Sequence, residues 1–341
     1  LARKLAATKD NTVIIKAGTP RNPVIGIAPN EGLDGECAKI VIESGKKLTV
    51  KAGRVLNVYG DWVNNGNADL GDSYISGGKV KFCGSGGQKV YGANNWINIE
   101  FTNGLTFVSG TGAQNLYGVM NKTGGTLVTN NQLTVKSIST PLPYGTTACI
   151  DSGVGVITGN VTVERYLPSP AGYKYISIPV GGINCSQVVS QMSNFDTSTW
   201  GADYSLGGWT TFWMYDETNI SQTLHPNGYI TDINQQIMQN GWVCPSGPNE
   251  PIVTMRGYII NDVNNKVISF TGPLNDGDIS YPLTYTSSTG VGGSSLHDGW
   301  HLLGNPYPCP IDWTNNTTGW DKRNILPTLY FFKPNSMYYG F

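Results

Sequence analysis

Oxygen-bearing side chains gather most densely in NNGNADLGDS, which holds Asn64, Asn65, Asn67, Asp69 and Asp72. Calcium takes about six to eight oxygen ligands and tolerates irregular loops, so Asn67, Asp69 and Asp72 are the set that could hold it. Their spacing follows neither a helix–loop–helix calcium loop nor a glycine-rich calcium repeat. A solvated turn is therefore the expectation, and no cofactor beyond that calcium is expected. The histidines are His225, His297 and His301. His301 with Asp298 or Asp312 would imitate part of a triad, but a histidine at a strand edge is more often structural. Neither G-x-S-x-G nor H-E-x-x-H occurs, so the local signatures of serine hydrolases and zinc proteases are missing. FCGSGGQK (82–89) resembles a phosphate-cradling loop only in its glycines; it lacks the G-x-x-x-x-G-K spacing and reads as a tight turn. Between 36 and 68 the carboxylates are Glu36, Glu43 and Asp61, which form no cluster of the kind a polysaccharide hydrolase or lyase needs. The chain is expected not to be an enzyme.

Aromatic rings are the other candidates. Trp200 and Trp320 lie in Gly/Asn/Thr-rich loops, where a ring face could stack on a sugar. Trp209, Trp213, Tyr215 and Trp313 read as core instead. The cysteines Cys37, Cys83, Cys149, Cys185, Cys244 and Cys309 are scattered, without C-x-x-C and without histidine at ligand spacing, so zinc is not expected. Six cysteines allow 15 full pairings, and their positions do not choose among them. Charge points nowhere: 22 Lys+Arg stand against 23 Asp+Glu, and charged residues make up 13%, about half the usual share of roughly 25%. With no basic stripe, nucleic acid is not expected as a partner. No apolar run reaches the roughly 18 residues of a membrane span. The opening LARKLAATKDN lacks the apolar core of a signal peptide, so the chain is either mature after cleavage or an excerpt, and the strand-like ending YFFKPNSMYYGF favours an excerpt.

The elements that position these residues are short strands. From about 12 to 158 come TVIIKAG, KIVIESG, KLTVKAG, VLNVYGDW, KVKFCGSG, INIEFTNG, LTFVSGTG, TLVTNN and QLTVKS, each closing on Gly, Asn or another turn residue. Ile40, Ile42, Leu48, Val50, Val55 and Val58 supply inward positions. A β-solenoid, parallel and β-helix-like, suits this quasi-repetition better than hairpins do, because its corners need left-handed Gly and Asn. Past about 159 the strands lengthen and aromatics concentrate in VTVERYL, YKYISIPV, WTTFWMYD, MRGYIIN, KVISFTG, YPLTYT and WHLLG. WTTFWMYD is apolar on both faces, as in a central strand covered on both sides. A helix is expected at about 185–194, capped by Asn184 with Gln187 completing the box. In GWHLLGNPYPCPIDW (299–313), Pro306, Pro308 and Pro310 have no N–H to give a ladder, so the chain should cross the surface as a stiff strap, with Ile311 and Trp313 re-entering apolar surroundings. The fold class is thus all-β. A solenoid domain (1–158) precedes an aromatic-rich β-sandwich domain (159–341) that continues past the last residue.

Several stretches resemble the surface and secreted proteins that Gram-negative bacteria export through the type IX secretion system. The likeness lies in NTVIIKAGTPRNPVI, AKIVIESGKKLTVKAGRVLNVYGDWVNNG and GKVKFCGSGGQKVYG, then in GNVTVERYLP, YKYISIPVGG, VISFTGPLNDGDISYPLTYT and GWHLLGNPYPCPIDW. It implies an extracellular or cell-surface location, the secretion machinery as a partner, and an adhesive or structural role within a longer chain. A C-terminal sorting domain, normal in that family, is not among these residues. The expected function is non-enzymatic adhesion, with surface glycans or self-association as the binding mode. Two alternatives are the carbohydrate-binding portion of a secreted glycan-degrading enzyme and a filament subunit.

Overall fold

A computed structural model describes residues 8–26, 33–66, 77–139, 146–168, 172–204, 208–219, 241–262, 265–287, 299–314, 320–326, 328–331 and 339–340. The protein is almost entirely β and contains parallel sheets. It divides into two compact units, Leu1–Cys309 and Pro310–Phe341, so the boundary expected at 158/159 falls inside the first.

In the first unit the chain returns repeatedly to the same sheets. A seven-stranded sheet orders Thr12–Ile15, Lys39–Ile42, Trp62–Asn64, Gln88–Tyr91, Leu105–Phe107, Thr126–Val128 and Val156–Thr158, parallel throughout. A six-stranded parallel sheet orders Gly35–Cys37, Val55–Val58, Lys79–Phe82, Asn98–Phe101, Val119–Lys122 and Cys149–Ile150. A third runs Asn94–Trp96, Gln114–Leu116, Leu133–Val135, Asn160–Leu167 and Lys266–Pro273, with only the last strand antiparallel. Such register stacks inward residues into ladders. Ile40, Trp62, Val90 and Phe107 form one. Leu56, Val80, Ile99, Met120 and Ile150 form another. Trp96, Leu116, Val135, Val163 and Phe270 form a third. All are buried, and each such side chain contributes about 1.5–3 kcal/mol. Val58 is buried as expected, but Val55 is only partly buried and Leu56 takes the other inner position of that strand. Corners use left-handed backbone at glycine and asparagine as expected, for instance Gly92 (φ 85°), Asn130 (φ 47°) and Asn131 (φ 61°). FCGSGGQK is a turn into the strand Gln88–Tyr91, closed by Gly84 N–H donating to Gln88 Oε1 at 2.7 Å.

Amides also lie inside. Asn94 and Gln114 are fully buried and opposite one another. Asn94 Oδ1 accepts from Trp62 Nε1 and Asn64 Nδ2, both at 2.9 Å. Gln114 Oε1 accepts from Trp96 Nε1 at 2.9 Å and from Asn94 Nδ2 at 3.1 Å. The tryptophan rings then pack at 5.2 Å, each with an edge toward Phe82. An interior amide is tolerated because its donors and acceptors are met there.

The strand Asn160–Leu167 belongs to both strand regimes. Val161–Val163 pair in parallel with Leu133–Val135, and the whole strand pairs antiparallel with Lys266–Pro273. A four-stranded antiparallel sheet follows, ordered Gly172–Ile176, Tyr258–Asp262, Phe212–Tyr215 and Trp242–Val243. Phe212–Tyr215 is central, with Phe212 and Trp213 both buried as its two-faced apolar pattern requires. The helix is shorter than expected, Cys185–Val189; Asn184 N–H donates to Gln187 Oε1 at 3.0 Å, and its apolar stripe continues only as turns to Met192. YPLTYT forms no strand, and WHLLG makes only a bridge between Leu303 and Arg256.

The strap departs from its expected course. Pro306 and Pro308 are buried rather than laid over the surface. Pro306 O accepts from Asn275 Nδ2 at 3.0 Å, and Pro308 O accepts from Ile150 N–H at 3.2 Å. The second contact covers the free edge of Cys149–Ile150, the last strand of the six-stranded sheet. An uncovered edge would template pairing with another chain, and a proline segment meets it without offering donors of its own. In the second unit Ile311 is 37% exposed and has not re-entered apolar surroundings. That unit also pairs Tyr330–Phe331 with Tyr339–Gly340.

Candidate functional site

Trp200 is half-buried, its ring 4.6 Å from Phe195, which meets the core ring of Phe212. It is held as a packing residue with one part outward. Trp320, in the second unit, donates Nε1–H to Asp312 O at 2.7 Å and meets Trp313 edge-on at 4.6 Å. Lys322 Nζ lies 4.4 Å above the Trp313 ring. Asn67, Asp69 and Asp72 lie outside the described residues. Of their neighbours, Asn64 is already committed: its Nδ2 donates to Asn94 Oδ1 and Ala93 O, and its Oδ1 accepts from Gly66 N–H. Among the described residues no group of three or more His, Cys, Asp or Glu could hold a metal ion. No helix among them is long and apolar enough to cross a membrane.

The most exposed tryptophan ring with aromatic neighbours is Trp209, read from sequence as core. The strand begins at Phe212, three residues later, which leaves Trp209 58% exposed. Its ring stands 6.2 Å from Tyr173, 5.9 Å from Tyr204 and 6.2 Å from buried Trp213. These contacts hold the ring from three neighbours while most of the residue stays exposed, so it could stack on a sugar with little further loss of rotamer freedom. The sequence signal was the paired threonines 210–211, which separate Trp209 from the run of large apolar residues.

A cleft of about 410 Å³ opens beside the antiparallel sheet. Its chemistry comes from Tyr215, Asp216, Glu217, Arg256, Tyr281 and His301. Glu217 is buried; Thr284 Oγ1 donates to it at 2.6 Å, and Thr286 donates through both its N–H and its hydroxyl. Desolvation would raise the Glu217 carboxyl, but these hydrogen bonds and the field of His301 outweigh it and hold the pKa below the usual value. Arg256 donates Nε–H to the Tyr281 hydroxyl at 3.2 Å. Burial works against its charge, and the tyrosines and Asp216 more than compensate. Met255, beside it, is held at φ 70°, a conformation that bulky residues rarely keep without outside support. His301 Nε2 pairs with the Thr284 backbone, 2.9 Å from its carbonyl oxygen, so His301 is engaged structurally. Planar polar groups beside tyrosine rings suit a polar ligand rich in hydroxyls.

On the outer face of the six-stranded sheet, Glu100 accepts from Lys79 at 2.8 Å and from Lys81 at 2.7 Å. Burial raises its pKa, but the two ammonium groups prevail and keep it below the usual carboxylate range. The triad therefore keeps one net positive charge on that face. A separate groove along the seven-stranded sheet is lined by Lys39, Asp61, Tyr91 and Thr111.

Comparison with curated proteins and with solved structures finds no match. Residues 93–339 match the model of a family described as Domain of unknown function (DUF8693). The match begins midway through the parallel sheets and runs across residue 158 into the antiparallel part, more than half of the chain, and the protein therefore belongs to that family.

Proposed function

We propose that this chain is a non-enzymatic, adhesive module of a longer exported protein, displayed at the surface of a Gram-negative cell by type IX secretion. In this reading the three parallel sheets are the faces of a β-solenoid that serves as a stiff spacer. The antiparallel segment after it is a β-sandwich that presents binding groups. The supporting observation is the exposed Trp209 ring, set among Tyr173, Tyr204 and Trp213 beside the antiparallel sheet. Surface glycans are the ligand class. Near-neutral overall charge, 22 Lys+Arg against 23 Asp+Glu, gives little long-range steering, so binding should depend only weakly on salt. One or two stacked rings give modest affinity, and repetition of modules would raise it.

The cleft favours a second reading, the carbohydrate-binding portion of a secreted glycan-degrading enzyme, because its tyrosines and planar polar side chains suit a sugar. A glycan array and immobilised polysaccharides, at low and high salt, test both. The parent is compared with Trp209→Ala, Arg256→Ala, Trp200→Ala and Trp320→Ala. Adhesion through the aromatic cluster requires loss in Trp209→Ala with the cleft variant unaffected. The reverse pattern favours the cleft. Binding abolished by salt refutes the stacking mechanism, and no binding by a multimerised chain leaves a spacer or filament role.

A further inference from the structure

The hydrogen bond from Ile150 N–H to Pro308 O joins two peptide groups, 149–150 and 308–309. Hydrogen-bonded strands lie about 4.8 Å apart and successive Cα atoms about 3.8 Å apart. If the strap runs antiparallel to Cys149–Ile150, the Cα atoms of Cys149 and Cys309 are opposite each other, about 5 Å apart. A parallel course would instead put Cys309 opposite Ile150 and turn the two cysteines to opposite faces, but Pro308 is buried like Ile150 while Cys309 is only partly so, which fits the antiparallel course. That spacing falls within the disulfide window of roughly 4.4–6.8 Å.

Side-chain direction agrees. Ile150 is buried, 2% exposed, so its neighbour Cys149 points to the outer face of that sheet. Asp151 points out with it, accepting from Asn121 Nδ2 at 3.1 Å. Cys309 feels both: burial raises its thiol first, and the fields of Cys149 and Asp151 raise it further. Both cysteines are half-buried thiols within reach of a soluble oxidant.

We infer that Cys149 and Cys309 form a disulfide that locks the proline strap onto the edge of the six-stranded sheet. The oxidant is a disulfide, either glutathione disulfide or an oxidoreductase of the export compartment. The Cys149 thiolate attacks one oxidant sulfur and expels the other as a thiolate. The Cys309 thiolate then attacks the Cys149 sulfur of that mixed disulfide and expels the remaining oxidant sulfur as a thiolate. Two protein thiols and one oxidant disulfide thus become one protein disulfide and two reduced thiols. Burial keeps both thiols protonated at neutral pH, so the exchange accelerates as pH rises. Cross-linking there leaves the edge permanently covered, which suits a chain exposed to an oxidising medium.

The purified full chain is oxidised with glutathione disulfide at pH 8.5, alkylated, and digested with trypsin without reduction. Cleavage at lysine and arginine isolates Cys149 in peptide 137–165 and Cys309 in peptide 267–322, each the single cysteine of its peptide. The two should appear linked, and reduction should separate them. Closing so long a loop should raise Tm by roughly 5–10 °C. Cys149→Ser and Cys309→Ser should each abolish both the link and the shift. Recovery of both peptides as alkylated free thiols, or linkage of either to another cysteine in the folded chain, overturns the inference.

Discussion

Lys122 occupies a position its ladder assigns to an apolar residue. Register places it after Cys37, Val58, Phe82 and Phe101, and it is 4% exposed. Its ammonium donates to Asp276 Oδ1 at 2.8 Å and Oδ2 at 2.7 Å, and to Gly153 O at 3.0 Å and Gly155 O at 3.2 Å. Asp276 lies just past the strand Lys266–Pro273, so one ion pair ties the parallel stack to the antiparallel part. Removing one partner of a buried pair costs about 3–5 kcal/mol, because the remaining charge is stranded. The Asp276 side chain is 43% exposed, so water screens part of this, and Asp276→Ala should cost about 2–3 kcal/mol. Lys122→Met behaves differently. It keeps the length of the side chain, leaves Asp276 to solvent, and strands only two carbonyls, for about 0–1.5 kcal/mol. In the double variant the stranded charge is absent, so its stability should match Lys122→Met. Urea denaturation at pH 7 measures all four chains. A loss under about 0.5 kcal/mol for Asp276→Ala, or a larger loss for Lys122→Met than for Asp276→Ala, would refute the reasoning.

A Cβ at Gly92 would lie 1.7 Å from Asn64 O on backbone at φ 85°, so Gly92→Ala should cost 4 kcal/mol or more, roughly, whereas Gly110→Ala, at φ 73° with open space, should cost only about 1; thermal melts rank the two. Asn94→Ala should cost about 2–4 kcal/mol by chemical denaturation, because it leaves the buried Trp62 Nε1–H without its acceptor. The depressed Glu217 pKa means that its contribution is present above the unfolded value of about 4.5 and is lost as pH falls through the folded value. The Tm gap between parent and Glu217→Gln should therefore narrow below about pH 4.5, and a gap constant from pH 7 to 3 contradicts that coupling. A fragment ending at residue 158 should melt without cooperativity, since it loses the Val161–Val163 pairing and the partner of Lys122.

Much of the strand order was legible because alternation of apolar and polar residues is a backbone property. Thr12–Ile15, Lys39–Ile42, Val55–Val58 and Leu105–Phe107 all lie where their patterns place them. Gln88–Tyr91, Asn94–Trp96 and Gln114–Leu116 escaped notice because their inward positions carry Gln88, Asn94 and Gln114. An inward amide looks like an outward one until its partners are known, and those partners lie from 18 to 32 residues away. Lys122 was hidden for the same reason, with its carboxylate far along the chain. Around the candidate site, Trp209 was misassigned because its exposure depends on where the strand starts. Cleft residues 215–217, 256, 281 and 301 converge only through tertiary structure.

The texture change near 159 coincides with a change of pairing. Up to Val156–Thr158 the strands of the seven- and six-stranded sheets meet parallel neighbours, with Ser137–Ile138 and Thr146–Thr147 forming a separate antiparallel pair, and short strands suffice because the next turn of chain covers each edge. Asn160–Leu167 is eight residues long because it serves two partners at once, the parallel Leu133–Val135 and the antiparallel Lys266–Pro273. Its inward residues Val161 and Val163 extend the ladders of the stack, so the hydrophobic core crosses the residue at which composition changes. The six-stranded sheet ends without such a partner, on the two-residue strand Cys149–Ile150, and there the proline strap supplies an acceptor and nothing further to pair with. One sheet is continued by a long strand and another is stopped by prolines, and both devices come from the segment that reads as a separate domain. The family match, residues 93–339, likewise runs through residue 158 without a break.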